Sequence, residues 1–292
     1  MLVRSKFQWN QSMLESTPVR DSGVHYNNDP RLFELFLDSN LNYSSGVFCA
    51  DDETLDQAQI NKMQGIAASL GIKEGQRILD VGCGWSGPAV YFAEHYGCHI
   101  TGVNLSAAQR AYGLNRAAQH GVDGRVQIEV KNVLDLDYPA ASFDSIMFLE
   151  SIIHMPEKEA IFRSCHDLLR PGGKIFIQES HYDRASMRGR YLSDRGATEV
   201  DRSFGNTMDM VTGGEMLCLL ESAELIPLAL QDISMDYVRT LSLWLQNIDR
   251  HAEPMMELSR DAYLMLRRYL MIALNTYREG GTVCYQITAS KR

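Results

Sequence analysis

One stretch limits what this chain can fold into more than any other, the run Arg77-Ile-Leu-Asp-Val-Gly-Cys-Gly-Trp-Ser-Gly87. A short apolar segment carries one acid, Asp80, and then breaks into glycines at Gly82 and Gly84. Pro88 follows where the first turn of a helix would begin, and there the missing N–H of proline costs nothing. Glycines allow a tight turn and close approach to a ligand, and a helix start offers unpaired N–H groups. The stretch predicts a strand, a turn and a helix that hold a nucleotide.

The position of Asp80 indicates which nucleotide that is. In a dinucleotide site the acid that binds the ribose lies about 20 residues beyond the glycines. Here the acid comes directly before them, and this D-x-G-x-G order resembles that of S-adenosylmethionine-dependent methyltransferases. The resemblance implies S-adenosylmethionine as cofactor. One departure is that the family usually has a glycine at the position of Ser86, with Gly87 one place late. The alternative is an ordinary strand–turn–helix without a ligand.

Beyond this stretch, apolar segments of strand length alternate with helical ones, which predicts an α/β fold with ligands at the carboxyl ends of parallel strands. The further strands are expected at 99–105, 126–130, 143–149, 174–179, 225–230 and 282–287. The methyltransferase resemblance implies a Rossmann-like class I fold. It has a mostly parallel seven-stranded sheet, helices on both faces, a helical cap, and a final antiparallel strand at or next to the sheet edge.

We expect four parts along the chain. They are an N-terminal arm and helical cap over 1–70, a cofactor-binding core over 71–180, a lid insertion and return to the core over 181–235, and a helical cap segment with the last strand over 236–292. Within the first part, apolar residues between Leu32 and Leu37 predict a helix over 24–38, and Thr54 is expected to cap a helix that ends at Gly71.

Composition excludes several classes of partner. The net charge of −9 leaves no basic surface for nucleic acid. The six cysteines are scattered without paired spacing, which is typical of reduced thiols in a cytoplasmic protein and gives no metal site. No apolar run is long enough to span a membrane, so stable membrane insertion is not expected. The partner is expected to be a small-molecule acceptor, and homo-oligomerisation is left open.

A narrower resemblance covers most of the chain from residue 24 onward. The sequence is similar to the cyclopropane-fatty-acid and mycolic-acid synthases, which deliver the methyl of S-adenosylmethionine to an alkene. The segments that carry the similarity are His25-Tyr26, Tyr43-Ser44 with Phe48, Thr54-Leu55 with Ala58-Gln59, the glycine loop, 237–244, Arg268-Tyr269, 277–280 and Gln286.

This resemblance assigns residues to the cofactor. Asn104 stands where the methyltransferases commonly have an acid for the ribose, and Gln109 matches a Leu-Ser-x-x-Gln pattern of the synthases. Asn132 and Val133 occupy the usual place for contacts to adenine, although Asn132 also fits an ordinary polar loop. The full set is Tyr43, Ser44, Asp80, Gly82, Gly84, Asn104, Gln109, Asn132, Val133 and Glu150.

Glu150 is the candidate catalytic acid, because it ends a central strand and is expected to face the methyl donor. Its motif, Glu-Ser-x-x-His-Met-Pro, departs from the Glu-His-Phe motif of the synthases and looks like that of small-molecule O- and C-methyltransferases. Ser45 also replaces a common cysteine. Both positions help bind the synthases' bicarbonate, so ring closure to a cyclopropane is not expected. His154 is either a base or a histidine bonded to backbone, and His181 and Tyr182 are expected to orient substrate.

Further candidates lie in the segments expected to roof the cavity. Aromatic side chains at Tyr26, Tyr43, Trp244 and Tyr277 either pack or face a cation formed during alkene methylation. The arginines between 184 and 202, including Arg184 and Arg188, either bind an anionic group or form a solvated face balanced by nearby acids.

The leading functional hypothesis is C-methylation of an olefinic acceptor, lipid- or isoprenoid-like, with or without a diphosphate, and with Glu150 as the base that resolves the cation. The first alternative is O- or N-methylation of a polar natural-product scaffold with His154 as base. A cyclase that keeps the cofactor as a scaffold is another. A nicotinamide oxidoreductase would need an acid at the end of the second strand, where this chain has Asn104.

Overall fold

In the computed structural model of the protein, residues 29–193 and 209–292 are described, apart from the side chains of 191–193. Of the residues named above, His25 and Tyr26 lie outside the described part of the chain. The last two arginines of the 184–202 segment, Arg195 and Arg202, also lie outside it.

Seven strands form one sheet. They are β1 Arg77–Val81, β2 His99–Asn104, β3 Val126–Val130, β4 Phe143–Leu149, β5 Leu169–Tyr182, β6 Ile226–Asp232 and β7 Thr282–Ser290. The order across the sheet is β3-β2-β1-β4-β5-β7-β6. The pairs from β3 to β5 are parallel, whereas β7 is antiparallel to both of its neighbours. The predicted sheet is therefore confirmed, including the antiparallel last strand next to the sheet edge.

Helices connect these strands and add a cap. In the described residues they are α1 Pro30–Glu34, α2 Leu55–Leu70, α3 Gly87–Tyr96, α4 Ala107–Gln119, α5 Lys158–Leu168, α6 Met187–Ser193, α7 Gly213–Ser222, α8 Ser234–Arg250 and α9 Ala252–Arg278. Side-chain caps fix several starts. The Thr54 hydroxyl accepts the N–H of Gln57 at 3.2 Å, and the Ser106 hydroxyl accepts that of Gln109 at 3.3 Å.

Two elements differ from the predicted lengths by more than a few residues. Helix α1 ends at Glu34, because the Asp38 carboxylate accepts the backbone N–H groups of Asn40 and Asn42 and turns the chain. Strand β5 runs on to Tyr182, since β7 pairs with it from Lys174 to that residue. A partner strand that lies a hundred or more residues later in the chain cannot be seen in the local pattern.

The three largest apolar clusters of the described residues hold these elements together. Helices α5 and α7 cover one face of the sheet with residues such as Phe162 and Leu220, and α2, α3 and α4 cover the other. A third cluster forms the cap, in which α1, α8 and α9 pack together around Phe33 and Trp244. Trp85, from the glycine loop after β1, belongs to that third cluster. The cap is therefore packed directly against the loop that was expected to bind the cofactor.

Candidate active site

A cavity of about 650 Å³ opens at the carboxyl ends of β1, β2 and β4, where ligands bind in open α/β sheets. The cap segment 41–44, the segment 154–157 and Asp209 complete its wall. The predicted site residues that line it are Tyr43, Ser44, Asp80, Gly82, Gly84, Asn104, Gln109, Asn132, Val133, Glu150 and His154. Residues from the cap, three strand ends and a loop thus meet around one space.

Asp80 contributes a carboxylate that is 1% exposed. Its Oδ2 atom makes no hydrogen bond within the described part of the chain. Burial raises the pKa of Asp80 to about 7, and the positive charge of Lys62 works against that rise. A buried carboxylate oxygen without a partner is costly. It suits a ligand that brings an ammonium group to this point.

The two glycines that follow have backbone conformations that L-residues avoid. Gly82 has φ 79° and Gly84 has φ 49°. A Cβ atom on Gly82 would lie 2.4 Å from the Cβ of Ser151. The glycine loop therefore passes too close to the chain after β4 for residue 82 to carry a side chain. A Cβ on Gly84 would meet nothing within 4 Å, and this residue borders the cavity. The space beside Gly84 is thus left open for a ligand.

The displaced third glycine has a structural explanation. Ser86 adopts the left-handed conformation, with φ 64°, and is fully buried. Its hydroxyl fills space that α4 leaves free, because a Cβ on Gly113 would lie 2.4 Å from Ser86 Oγ. Position 87 requires glycine because an added Cβ there would lie 1.9 Å from the carbonyl oxygen of Asn40 in the cap. The turn is thus formed with serine at position 86, and the glycine stands at position 87, where the chain contacts the cap.

The ends of β2 and β3 supply neutral polar groups. The side chain of Asn104 accepts the N–H of Ser106 at 3.1 Å, and that of Asn132 accepts the N–H of Leu134 at 3.0 Å. Gln109 lies one turn into α4 and is 4% exposed, and Val133 is 9% exposed. Amide groups at these positions can bond a ribose diol and an adenine edge. Together with the unpaired Asp80 oxygen and the open space at Gly84, they fit S-adenosylmethionine.

Glu150 follows β4, next to β1 in the sheet, in a strained backbone conformation with φ 56°. Its Oε1 atom accepts the N–H of Ser45 at 2.7 Å and Nε2 of Gln178 at 2.8 Å, and its Oε2 atom accepts the hydroxyl of Tyr237 at 2.6 Å. Burial raises the pKa of Glu150, while these three donors and the charge of Lys62 oppose the rise. The carboxylate is held in one orientation at the cavity wall.

The orientation of Gln178 is itself fixed. Its Nε2 atom also donates to the carbonyl of Ser45 at 3.0 Å, and its Oε1 atom accepts Nε2 of Gln286 at 2.8 Å. Only this arrangement of the amide places its donor toward Glu150. Strands β5 and β7 therefore position the carboxylate at the end of β4.

Helix α2 brings a buried lysine to the same region. Lys62 is fully buried, and its ammonium donates to the hydroxyl of Ser44 at 2.7 Å. Gln59, one turn earlier, donates to the backbone carbonyl of Ser44 at 2.7 Å. Burial lowers the pKa of Lys62 to about 8, opposed by acidic groups around it, namely Asp38, Glu150, Cys284 and Asp80. Helix α2 thus holds Ser44 at two atoms and places one positive charge behind it.

His154 lines the cavity, but its environment keeps it neutral. Burial lowers the pKa of His154 to about 4, with a smaller contribution from the nearby charge of Lys158. Lys158 is itself 3% exposed and donates to the carbonyl of Met155 and to Asp209 at the cavity edge. An imidazole with such a pKa is a weak base at neutral pH.

The remaining candidates lie away from the cavity. Neither His181 nor Tyr182 borders it. His181 is fully buried and donates from Nδ1 to the carbonyl of Val211 at 3.2 Å, and Tyr182 lies under the guanidinium of Arg188. Both belong to β5, which was expected to end before them. Their catalytic roles stay predictions to which this placement lends no support.

The aromatic and basic substrate candidates also have protein partners. Trp244 packs behind Tyr43, with ring centroids 5.4 Å apart, and the Tyr277 hydroxyl lies 2.6 Å from that of Ser180. Arg184 pairs with Asp183 at 3.2 Å and Arg188 with Glu215 at 2.6 Å. The four candidates Trp244, Tyr277, Arg184 and Arg188 do not border the cavity. Packing and surface pairing, the alternatives considered from the sequence, describe their observed contacts.

Several residues at this site were not singled out as site residues from the sequence. Lys62, Gln178 and Tyr237 all act on the carboxylate or on Ser44. Tyr237 was part of a matching segment, which was a usable signal. Lys62 gave none, because a lysine on a helix is normally a solvated residue.

A parallel core sheet with this acid, glycine turn and amide set defines a class I methyltransferase that uses S-adenosylmethionine. Sequence comparison makes the class more specific. The family model of mycolic acid cyclopropane synthetase matches residues 14–287, and the chain belongs to that family. The cofactor and the fold expected from the glycine loop are confirmed.

Individual relatives have varied descriptions. The 27-O-demethylrifamycin SV methyltransferase of Amycolatopsis mediterranei is 33% identical over 165 residues, which cover 56% of this chain and 60% of that protein. Sphingolipid C9-methyltransferase B of Emericella nidulans is 27% identical over 287 residues, which cover 94% of this chain and 53% of that protein. The chain therefore spans between about half and three fifths of the length of these relatives.

Among solved structures, the cyclopropane synthase MmaA2 from Mycobacterium tuberculosis superposes with a TM-score of 0.86 at 21% identity, covering 94% of this chain and 99% of that one. At this identity the likeness shows the fold alone.

Within the described residues, no helix combines the length and apolar character needed to cross a membrane. The same residues contain no group of three or more His, Cys, Asp or Glu side chains placed to hold a metal.

Proposed function

We propose that the protein transfers a methyl group to a carbon atom of an uncharged, apolar alkene, such as an unsaturated lipid or an isoprenoid without a diphosphate. The observation that carries this proposal is the Glu150 carboxylate, which is partly buried, is held by three donors and belongs to a residue that borders the cavity. Methylation of an alkene produces a carbocation, which needs a nearby negative charge and a base to remove a proton. Glu150 offers both.

Bound S-adenosylmethionine supplies an electrophilic methyl group, and the residues of the chain provide the rest. The alkene π electrons form the new C–C bond as the C–S bond breaks, which leaves the positive charge on the acceptor. Loss of an adjacent proton then returns an electron pair to carbon and restores a double bond. The cavity needs only to align the two reactants and exclude water.

The hydrogen bonds of Glu150 indicate which oxygen takes that proton. Oε1 accepts two donors, from Ser45 and Gln178, and so uses both of its lone pairs. Oε2 accepts only the Tyr237 hydroxyl among the described contacts. We therefore assign proton removal to Oε2 of Glu150.

The state of His154 weighs against O- or N-methylation. A hydroxyl or ammonium acceptor must give up its own proton, and the base that takes it works best with a pKa near the operating pH. Burial lowers the pKa of His154 to about 4, well below that range. This low pKa disfavours His154 as the base of the runner-up hypothesis.

Charge around the cavity weighs against a diphosphate on the acceptor. Among the described residues that line it, the charged ones are Asp80, Glu150, Glu157, Asp209 and Lys131. Lys131 already pairs with Glu129 and Asp137. An anionic group would meet mostly carboxylates there. The name of the sphingolipid C9-methyltransferase, a relative across 94% of this chain, agrees with carbon methylation of a lipid.

The test compares acceptors and two variants. The protein is incubated with labelled S-adenosylmethionine and a panel of unsaturated lipids, isoprenoid alkenes, phenols and amines, and products are identified by mass spectrometry and NMR. We expect methylated alkenes. Glu150→Gln should lower the transfer rate by about 100- to 10,000-fold, and His154→Ala should cost clearly less. S-adenosylhomocysteine binding, measured by calorimetry, should stay within about threefold in Glu150→Gln.

Two results would contradict the proposal. One is methylation of only phenols or amines with His154→Ala as the inactive variant. The other is a Glu150→Gln protein that methylates alkenes at the normal rate. Glu150→Asp serves as the matched control, because it keeps the charge but withdraws it from the cavity, and it should retain part of the activity.

A further inference from the structure

Behind the cavity wall, Lys62 is the unusual feature that the proposed reaction does not use. It is fully buried, and its one hydrogen bond in the described part of the chain goes to the Ser44 hydroxyl. An ammonium has three N–H donors. Burying it with a single hydrogen-bond partner is costly, so its retention calls for a compensating role.

Lys62 does not border the cavity, but Ser44 does. Because Ser44 Oγ accepts the lysine N–H, its own O–H is left to donate elsewhere, and it makes no other bond among the described residues. Gln59 fixes the backbone of Ser44 through its carbonyl. The serine is thus held so that a hydroxyl donor, polarised by the ammonium behind it, is available at the cavity wall.

The neighbouring charges indicate what that donor would meet. The methionyl end of S-adenosylmethionine carries an ammonium and a carboxylate on the same carbon, so their partners must lie close together. Asp80 has an unpaired oxygen suited to the ammonium, and Lys62 is near enough to affect the pKa of that carboxyl. Most other charges at the cavity are negative. Ser44, backed by Lys62, is the place where a ligand carboxylate finds a donor and a positive charge together.

We infer that Lys62 is a positioning residue for the cofactor, acting through the Ser44 hydroxyl on the methionyl carboxylate. The inference rests on use of the cofactor and is independent of the alkene reaction. It can fail while the proposed function holds, and the reverse is also true, because its test needs no acceptor.

The test is calorimetric binding of two probes, S-adenosylhomocysteine and its decarboxylated analogue, which keeps the amine and lacks the carboxylate. The native protein should prefer the first by about ten- to hundredfold, the range expected for a charge-assisted hydrogen bond. Lys62→Met should weaken binding of S-adenosylhomocysteine by about tenfold or more, yet change binding of the analogue by less than about threefold. Lys62→Gln keeps a donor but has no charge, so its affinity for S-adenosylhomocysteine should fall between those of the native protein and Lys62→Met.

A uniform loss for both probes would show that Lys62 only supports the fold, and an unchanged preference would show that it does not act on the carboxylate. Either result overturns the inference. If the lysine variants do not fold, the pH dependence of probe binding by the native protein still tests the inference. Deprotonation of Lys62, which faces Asp38, Asp80, Glu150 and Cys284, should reduce the preference above pH 8 or so. A preference that stays constant up to about pH 10 would equally overturn it.

Discussion

The hydroxyl of Tyr237 lies 2.6 Å from Oε2 of Glu150, although 87 residues separate the two in sequence. Tyr237 comes from α8 of the cap and Glu150 from the end of β4. The cap therefore contributes directly to the orientation and ionisation of the carboxylate on which the proposed chemistry depends.

Removing that hydroxyl should change the pH dependence of the reaction. In Tyr237→Phe the ionised form of Glu150 loses one donor, so its pKa should rise, and the acidic limb of the kcat/KM profile should move to higher pH. Tyr96→Phe, a hydroxyl deletion at the partly buried last residue of α3, which does not border the cavity, is the control. An acidic limb unmoved by Tyr237→Phe would show that Glu150 does not control the profile.

Cofactor binding should be linked to a proton on Asp80. In the free protein the pKa of Asp80 is raised to about 7, so near pH 6 the carboxyl is mostly protonated. The ligand ammonium favours the charged form and lowers that pKa. Binding of S-adenosylhomocysteine at pH 6 should therefore release up to about one proton, and affinity should rise with pH until about pH 7.

Calorimetry in two buffers of different ionisation enthalpy measures the proton release. Asp80→Asn cannot ionise, and it should bind the ligand more weakly without that release. Equal release from the native protein and from Asp80→Asn would assign the proton to another group.

The contact between the glycine loop and the cap predicts a stability difference between two glycines at helix starts. Gly87→Ala would place a Cβ 1.9 Å from the carbonyl oxygen of Asn40, and overpacking of this kind costs about 1–3 kcal/mol. Gly214→Ala, within the first turn of α7, meets nothing within 4 Å and should be neutral or stabilising by up to about 1 kcal/mol. Urea denaturation of both variants measures the free energies of unfolding. Equal free energies of unfolding for the two variants would show that the cap backbone at Asn40 shifts at little energetic cost.

The arginines that follow β5 should have little effect on acceptor binding. Arg188 pairs with Glu215, both partly exposed, and Arg184 pairs with Asp183. Exposed pairs contribute about 0–1 kcal/mol, so Arg184→Ala and Arg188→Ala should leave the KM of an uncharged acceptor within about twofold. The measurement is steady-state kinetics at low and high salt. A rise in KM that depends on salt and occurs only with a charged acceptor would support an anion-binding role for these arginines.

The elements that the sequence predicted well are those with local causes. Strand β4 was predicted with its observed bounds, because a short apolar run between polar residues is a local signal. Thr54 starts its helix as expected, since a cap depends only on residues within one turn. The extension of β5 was missed because it depends on pairing with β7.

The same distinction applies to the site. The residues assigned to the cofactor by the glycine loop and by the strand ends all border the cavity, because the order of strands and turns already places them at one edge of a parallel sheet. The expected positions of His181 and Tyr182 at the cavity depended on where β5 ends. Lys62 could not be found, because its burial results from tertiary packing.

The sheet, the glycine turn and the family of cofactor follow from the sequence alone, since these depend on the order and spacing of residue types. The charge states and partners of the side chains at the cavity depend instead on how the chain packs in three dimensions. Glu150 takes its donors from positions 105, 28 and 87 residues away, and burial moves the pKa of Asp80, Lys62 and His154. Such shifts depend on desolvation and on neighbours in space, which no local pattern encodes.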